Sequence, residues 1–348
     1  MAGTVNRAAA VLLGFAVLAC GDDSNEFEFA TMGQGSAAGR DDGTATSGTT
    51  GEGSGETANE PTQGEGSTTM GVDADDDDDG TASGSGSPTG TDDGELPVVP
   101  CIGMDILFVV DNSATMIEEQ TRISSSAAAW LMTVNASTAS AVNNVNVGVI
   151  TTDESAMVTA TAMPCNFVSG QSYMQMGGAL FDPVVFAAEV QCALSVGVAG
   201  SSDERPMEHL IEALSPQFVD GGPNTGFLRE GALLVIVILT DEEDDFEAKT
   251  AWGSAGDPAD WISDIAALKG DIHRDVVVLS LIGVDQPNAC PNPQWNGMAG
   301  AELSPRLAEF AEGFPAGATQ DLCAPEFNTF LSGVVPGIAG SCMNFSPP

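Results

Sequence analysis

The sequence predicts an α/β protein with a doubly wound, mostly parallel sheet that is flanked by helices. Four short apolar runs rich in Val and Ile support this prediction, at residues 106–110, 145–150, 233–239 and 276–282. Continuous rather than alternating hydrophobicity is typical of parallel strands that are covered on both faces. Helical patterns occur between the runs, and strands that alternate with helices favour this architecture.

Three segments between or beside the runs repeat apolar residues at helical spacing, which places each set on one face of a helix. The sets are Ile123, Ala127, Trp130, Leu131 and Val134; Met207, Leu210, Ile211 and Leu214; and Trp261, Ile262, Ile265 and Leu268. We therefore expect three helices that pack these faces on the sheet. Residues 153–200 and 284–325 are longer than ordinary connections and are expected to be loop insertions.

The first twenty residues have the pattern of an export signal. A single basic residue, Arg7, precedes an uncharged apolar run over residues 8–19, which is too short to span a bilayer, and Cys20 follows. The residues before Cys20 resemble a bacterial lipobox, in which the cysteine is acylated and becomes the new N-terminus. We expect residues 1–20 to be a lipoprotein-type signal peptide and Cys20 to carry the lipid anchor. The alternative is an ordinary cleavable signal with a chance cysteine.

Residues 21–96 are rich in Gly, Ser, Thr, Asp and Glu, and residues 75–79 are consecutive aspartates. The whole chain has 50 acidic and 9 basic residues, which gives a formal net charge of -41. Such a segment cannot bury enough apolar surface to offset its conformational entropy, so we expect a disordered acidic tether. The acidic run is alternatively a calcium-collecting or partner-binding tail, and the Ser/Thr density also suits O-glycosylation.

Residues 97–348 have the composition of a globular domain that is long enough for one sizeable core. After Cys20 the chain has six cysteines, an even number that predicts disulfides in an exported protein. Because domain termini often lie close together, the favoured pairing joins the outermost two. The expected pairs are Cys101 with Cys342, Cys165 with Cys192, and Cys290 with Cys323. A zinc site is the competing interpretation, but the chain has no CxxC spacing and two histidines.

Oxygen-bearing side chains follow two of the apolar runs. The first run leads into Asp111, Ser113 and Thr115, and the third leads into Thr240 and Asp241. This arrangement resembles the von Willebrand factor type A domain, whose metal-ion-dependent adhesion site has the pattern DxSxS after its first strand and TDG after its fourth. The resemblance covers most of residues 101–340 in element order.

The resemblance implies a Rossmann-like sheet ordered 3-2-1-4-5-6, in which strands one and four open a crevice at their carboxyl ends. It also implies that Ser113 and Thr115 bind a cation directly, and that Asp111 and Asp241 bind it directly or through water. An acidic side chain of a partner then completes the shell. Oxygen ligands in an incomplete shell suit Mg²⁺, Mn²⁺ or Ca²⁺.

The sequence departs from the family pattern at two places. Glu242 replaces the glycine of TDG. The family's third metal-binding loop offers a threonine before a helix that runs into "AL", but residues 199–214 contain no threonine, and Glu204 is the candidate for that position. An added carboxylate is expected to hold the ion more tightly, to favour Ca²⁺ and to attract an acidic partner less.

Two interpretations need no metal. Thr115 with Glu118 matches the S/T-x-x-E capping box, which would start a helix at Met116. Residues 241–245 would then be a solvated acidic loop, as expected of so acidic a protein.

Catalysis is not expected, because His209 and His273 are not tied by any motif to a nucleophile. The folded part also has no GxSxG elbow, HExxH, phosphate loop or dinucleotide fingerprint. The excess of acidic residues excludes nucleic-acid binding. We therefore expect a lipid-anchored protein of the bacterial outer membrane or cell surface that binds a cation and an unidentified protein partner. The alternatives are a structural envelope protein whose cation only stabilises loops and, with less support, a hydrolase.

Overall fold

The computed structural model describes residues 99–138, 142, 144–158, 165–178, 181–245, 252–270, 273–291 and 300–346. These residues belong to one unit that spans Gly86–Pro348. The expected signal peptide, its Cys20 and the expected tether at residues 21–96 lie outside the described residues.

The described residues form a six-stranded sheet in the order β3-β2-β1-β4-β5-β6, with helices on both faces. The strands are β1 (Gly103–Val110), β2 (Asn144–Thr151), β3 (Met174–Met176), β4 (Ala232–Leu239), β5 (Val276–Ile282) and β6 (Ala318–Asp321). The helices are α1 (Ile117–Thr138), α2 (Pro183–Leu194), α3 (Pro206–Leu214), α4 (Pro216–Val219), α5 (Pro258–Ala267), α6 (Pro305–Glu312) and α7 (Asn328–Met343). The predicted doubly wound α/β fold is confirmed.

The four predicted strands are the central strands of the sheet. β1 pairs in parallel with both β2 and β4, so that Val110 lies opposite Thr151 on one side and Leu239 on the other. Every residue of β1, β4 and β5 is buried, which explains why these segments are apolar without alternation. The parallel register brings the carboxyl ends of β1, β2 and β4 to the same edge of the sheet.

The two edge strands were not predicted. β3 runs antiparallel to β2, and β6 runs parallel to β5. Both lie in the segments that the sequence analysis treated as loop insertions, and each has four residues or fewer, with the sequences MQM and ATQD. β3 buries Met174 and Met176 but is too short for its alternation to be recognised, whereas β6 is only partly buried and has one apolar residue.

Each face of the sheet packs against its own set of helices. One core cluster joins Ile106 and Phe108 of β1 to helices α1, α2 and α7. The other joins Leu107 and Val109 of β1 to helices α3, α5 and α6. The apolar faces predicted for three helices are buried, except that Ile211, Ile262 and Leu268 are partly exposed.

Three disulfides occur in the described residues, and they join the pairs favoured from the sequence: Cys101–Cys342, Cys165–Cys192 and Cys290–Cys323. All six cysteines are therefore oxidised and are not zinc ligands. Disulfides persist in oxidising compartments, so the domain belongs outside the cytoplasm. Within the described residues, none of the helices combines the length and the apolar character needed to cross a bilayer.

The Cys101–Cys342 disulfide closes a sequence separation of 241 residues, against 27 for Cys165–Cys192. Because a longer closed loop restricts the unfolded chain more, the Cys101→Ala/Cys342→Ala variant is expected to lose more stability than Cys165→Ala/Cys192→Ala. Chain-entropy estimates give losses of roughly 5.5 and roughly 3.5 kcal/mol. Guanidinium unfolding of both variants measures the difference, and equal losses would contradict the prediction.

Candidate metal site

Asp111 and Asp241 lie side by side because the strands that carry them end in register. Val110 pairs with Leu239, and the Asp111 backbone N–H donates to the Leu239 carbonyl at 2.9 Å. The Thr240 hydroxyl then donates to Asp111 Oδ2 at 2.8 Å. Asp111 is fully buried and Asp241 is 1% exposed. Two carboxylates therefore meet where the connections from β1 and β4 leave the sheet in opposite directions.

The turn after β1 directs two hydroxyls to the same place. The Ser113 backbone N–H donates to Asp111 Oδ1 at 2.6 Å, and Ser113 Oγ lies 3.3 Å from Thr115 Oγ1. The Thr115 hydroxyl also lies near enough to the Asp241 carboxylate to lower the pKa of Asp241. The alternative interpretation of Thr115 and Glu118 as a capping box is wrong, because none of the hydrogen bonds described for α1 joins these two residues and the helix begins at Ile117.

Glu204 lies in the loop before α3, and backbone hydrogen bonds fix this loop on the neighbouring strand ends. The Gly200 N–H donates to the Asn112 carbonyl at 2.8 Å, and the Arg205 N–H donates to the Thr152 carbonyl at 3.3 Å. Glu204 is 3% exposed, and the charge of Asp111 raises its pKa, so the two carboxylates are close enough to interact. The structure thus brings Glu204 to the same crevice as Asp111.

Gln120 is a positioning residue that the sequence analysis missed. Its side-chain amide donates to the Asp111 carbonyl at 2.9 Å and to the Gly197 carbonyl at 2.7 Å, which ties the loop that carries Glu204 to the end of β1. Its position in the helical repeat could have identified it, because Gln120 precedes Ile123 by three residues and so falls on the buried face of α1.

The carboxylates of Glu204 and Asp241 are the groups that make this crevice a candidate metal site. All four of their oxygens are buried, and none has a hydrogen bond of ordinary geometry. The Thr152 hydroxyl near Glu204 and the Thr115 hydroxyl near Asp241 lower the pKa of their neighbours only in part. Buried unpaired carboxylates are costly unless they are protonated or compensated by a cation, so the residues fit a bound metal ion.

The pKa values of Glu204, Asp241 and Asp111 are raised by the cost of burying these carboxylates in their charged form. Burial, followed by the charge of Asp111, raises the pKa of Glu204 to about 10 and that of Asp241 to about 8. Burial also raises the pKa of Asp111, although hydrogen bonds from Ser113 and Thr240 oppose the shift. Three adjoining carboxylates therefore do not all ionise at neutral pH unless a positive charge joins them.

The acidic loop after β4 is buried rather than solvated over residues 241–244, which contradicts the interpretation as a solvated loop. The Asp244 carboxylate accepts from the backbone N–H groups of Ser254 and Met207 at 2.5 and 2.9 Å. Glu243 accepts from the Arg306 N–H at the start of α6, at 2.8 Å. These two acids hold neighbouring loops and helices in place, and they differ in this from the unpartnered Asp241.

A metal site here depends on hydroxyls as well as carboxylates. In the part of the chain that the structure describes, no group of three or more His, Cys, Asp or Glu side chains is arranged as a ready cluster of metal ligands. The candidate set is mixed, with the hydroxyls of Ser113 and Thr115 beside the carboxylates of Asp111, Asp241 and Glu204. Such a donor set contains oxygen alone and suits Mg²⁺, Mn²⁺ or Ca²⁺.

The two histidines lie away from this crevice. His209 Nδ1 is 2.9 Å from Ser155 Oγ, and the Ser155 hydroxyl also donates to Glu212. The serine hydroxyl is therefore held between His209 and Glu212, and Ser155 is 4% exposed. His273 packs against the ring of Phe314 with centroids 5.9 Å apart.

Comparisons with known proteins give distant likenesses only. No family model and no curated protein matches the sequence. Among solved structures, proximal thread matrix protein 1 from the mussel byssus is 11% identical with a TM-score of 0.37, over 70% of this chain and 50% of that one. The pilus adhesin SpaC from Lactobacillus rhamnosus GG is 12% identical with a TM-score of 0.36, over 70% of this chain and 31% of that one. This chain spans half of the first protein or less than a third of the second, and no function is transferred from either.

The raised pKa values predict how stability depends on pH when no cation is present. The folded state keeps protons on Asp241 up to about pH 8 and on Glu204 up to about pH 10, whereas the unfolded chain loses them near 3.8 and 4.5. In EDTA, the free energy of unfolding is therefore expected to fall as the pH rises from about 5 to about 8, by up to about 1.4 kcal/mol per pH unit for each group.

The control is the Glu204→Gln/Asp241→Asn variant, in which both groups are neutral at every pH. Asp105 and Glu243, whose pKa values are raised to about 6, titrate in both proteins and cancel in the comparison. Urea unfolding at several pH values gives the two slopes. A variant that is as pH-dependent as the wild type would show that Glu204 and Asp241 are not the groups responsible.

Proposed function

We propose that the domain is a divalent-cation-binding module of the von Willebrand factor A kind, used for protein interaction or adhesion at the bacterial cell envelope. One observation carries the proposal. Glu204 and Asp241 bury four unpartnered carboxylate oxygens at the edge of the sheet where the connections that follow β1 and β4 leave in opposite directions. Open α/β sheets bind their ligands in such crevices.

The residues that would hold the ion come from three loops. Ser113 and Thr115 present hydroxyls from the turn after β1, Asp111 and Asp241 present carboxylates from the ends of β1 and β4, and Glu204 approaches from the loop before α3. A bound cation would supply the positive charge that these carboxylates need and would tie the three loops together. Its chemistry is that of a hard cation with oxygen ligands.

The surface around the crevice suits protein contact. Ile117, at the start of α1, is 59% exposed and directly follows the turn that carries Ser113 and Thr115. Trp252 is 42% exposed in the loop whose Gly253 N–H donates to Asp203 at 2.8 Å, next to Glu204. Tryptophan is enriched in protein interfaces and large apolar side chains are their usual anchors. These residues support a protein partner rather than a small polar ligand.

A structural role for the ion is the second candidate. Glu204 is 3% exposed and its loop is fixed by hydrogen bonds on both sides, so an ion held by it would be largely enclosed. An enclosed ion stabilises loops without meeting a partner, as structural metal sites do.

Cation binding is expected to depend on the turn after β1. In Asp111→Ala/Ser113→Ala the ion loses one carboxylate and one hydroxyl, so affinity should fall by at least about 100-fold. Calorimetric titration of the full chain with Mg²⁺, Mn²⁺ and Ca²⁺ measures this loss. The matched control is Ser263→Ala/Asp264→Ala, which removes the same two side-chain types from the exposed face of α5. Equal affinities in the two variants would rule out the site.

The same variant separates adhesion from a structural role. If the module is adhesive, cells that display Asp111→Ala/Ser113→Ala should lose the cation-dependent attachment that cells with the wild-type chain show. If the protein is instead a structural envelope protein whose ion only stabilises loops, cells with the wild-type chain show no cation-dependent attachment, and the variant only lowers the melting temperature in the presence of cation. The Ser263→Ala/Asp264→Ala control should behave as wild type in both measurements.

We infer from the sequence that Cys20 is acylated and that residues 21–96 hold the domain away from the membrane. A diacylglycerol with an additional acyl chain gives stable attachment. Cys20→Ser is therefore expected to abolish incorporation of labelled palmitate and to move the protein from the membrane fraction to the soluble fraction. Continued membrane attachment of this variant without label would contradict lipid anchoring.

A further inference from the structure

Glu204 is held in a fixed position relative to Asp111, although it belongs to a different loop. The Gln120 amide joins the Asp111 carbonyl to the Gly197 carbonyl, and Asn112 accepts from the Gly200 N–H. On the other side of Glu204, the Met207 N–H donates to Asp244 Oδ2 at 2.9 Å. These contacts deliver the Glu204 carboxylate to the crevice before any ligand arrives.

Two basic side chains that adjoin Glu204 and the acidic loop after β4, Arg205 and Arg306, have other partners. Arg205 pairs with Asp203 at 2.6 Å and with Glu208 at 3.5 Å. Arg306 donates to the Asp244 and Gly256 carbonyls and lies over the ring of Trp261, with 4.5 Å from the guanidinium carbon to the ring centroid. No hydrogen bond from either side chain reaches the oxygens of Glu204. Within the described residues, no internal ion pair therefore compensates the Glu204 carboxylate, and an external cation would do so.

We propose that Glu204 supplies, from within the chain, the carboxylate that a partner would otherwise contribute, so that the site prefers calcium and is closed to an acidic partner side chain. This inference rests on the proposed function, because it assumes that the crevice binds a cation. It goes further in naming the class of ion and in excluding one class of ligand.

Ligand number and charge both support the preference for calcium. Ca²⁺ takes six to eight oxygens and accepts bidentate carboxylates, whereas Mg²⁺ requires near-octahedral geometry and retains several waters. Both oxygens of Glu204 are without a partner, so this side chain can bind in bidentate fashion. The negative charges of Asp111 and Asp241 add to that of Glu204 at this edge of the sheet, so a further carboxylate would be repelled.

Partner recognition then uses the surface of the loops that the ion ties together, instead of a direct bond to the ion. The partner class that this site excludes is the one that binds by an Asp or Glu side chain. A variant that restores a neutral hydroxyl at this position, Glu204→Thr, should reopen the shell.

Luminescence of Eu³⁺ in place of the native cation tests the inference, because its lifetimes in H₂O and D₂O count the waters bound to the ion. The full chain is measured as wild type, Glu204→Thr and Glu204→Gln. Asp111→Ala/Ser113→Ala in the same chain supplies the background from ions held by the acidic residues 21–96. Glu204→Thr is expected to gain about one or two bound waters over wild type.

Acetate serves as the probe for a partner carboxylate. It is expected to displace bound water from Glu204→Thr and Glu204→Gln but not from wild type. In calorimetry, wild type should bind Ca²⁺ at least about tenfold more tightly than Mg²⁺, and both variants should narrow this ratio. Glu204→Gln keeps the size of the side chain, so it preserves the test if Glu204→Thr fails to fold.

The outcomes separate this inference from the proposed function. Equal water counts, or equal displacement by acetate, in wild type and both Glu204 variants would overturn the inference while leaving a cation site in place. Wild-type binding no stronger than the Asp111→Ala/Ser113→Ala background would overturn the proposed function itself.

Discussion

The candidate site depends on one constraint, the in-register ending of β1 and β4. Their parallel pairing sets Val110 opposite Leu239, and the next residues of both strands then enter the crevice together. Thr240 fixes the result by donating its hydroxyl to Asp111. A shift of one residue in this register would turn every side chain of β1 to the other face and would separate the two carboxylates.

Burying carboxylates is the general difficulty for a chain with 50 acidic and 9 basic residues. Much of the solution is to pair them with backbone N–H groups. Asp244 accepts from the Met207 N–H at the start of α3 and from the Ser254 N–H, Glu243 accepts from the Arg306 N–H at the start of α6, and Asp275 accepts from the Ser346 N–H. Helix N-termini and loop N–H groups take the place of basic side chains, because each offers donors that carry partial positive charge. Asp241 and Glu204 stand out because no such donor reaches them.

The sequence predicted the strands that are buried along their whole length. It did not predict the short strands at the edges of the sheet. The four central strands and the disulfide pairs followed from apolar runs, from cysteine number and from the proximity of termini, whereas β3 has only three residues and β6 is short, polar and only partly buried. At the site, the residue types were visible at strand ends, but Gln120 acts through two backbone carbonyls that are 86 residues apart in the chain (197 − 111). The burial of Glu243 and Asp244 was also missed, since their partners are backbone N–H groups that no side-chain pattern reveals.

The proposed adhesive and structural roles of a cation in this crevice both depend on the free energy with which the cation binds the folded state. Without a cation, desolvation of Glu204 and Asp241 and their repulsion by neighbouring carboxylates keep protons on both groups near neutral pH, as their raised pKa values show. A ligand that binds the folded state stabilises it by about 2.7 kcal/mol at a concentration 100 times its dissociation constant. Such an ion would stabilise the loops that carry Ser113, Glu204 and Asp241 whether or not a partner is present. A partner that contacts those loops, rather than the ion, would therefore still depend on the ion for the stability of its binding surface.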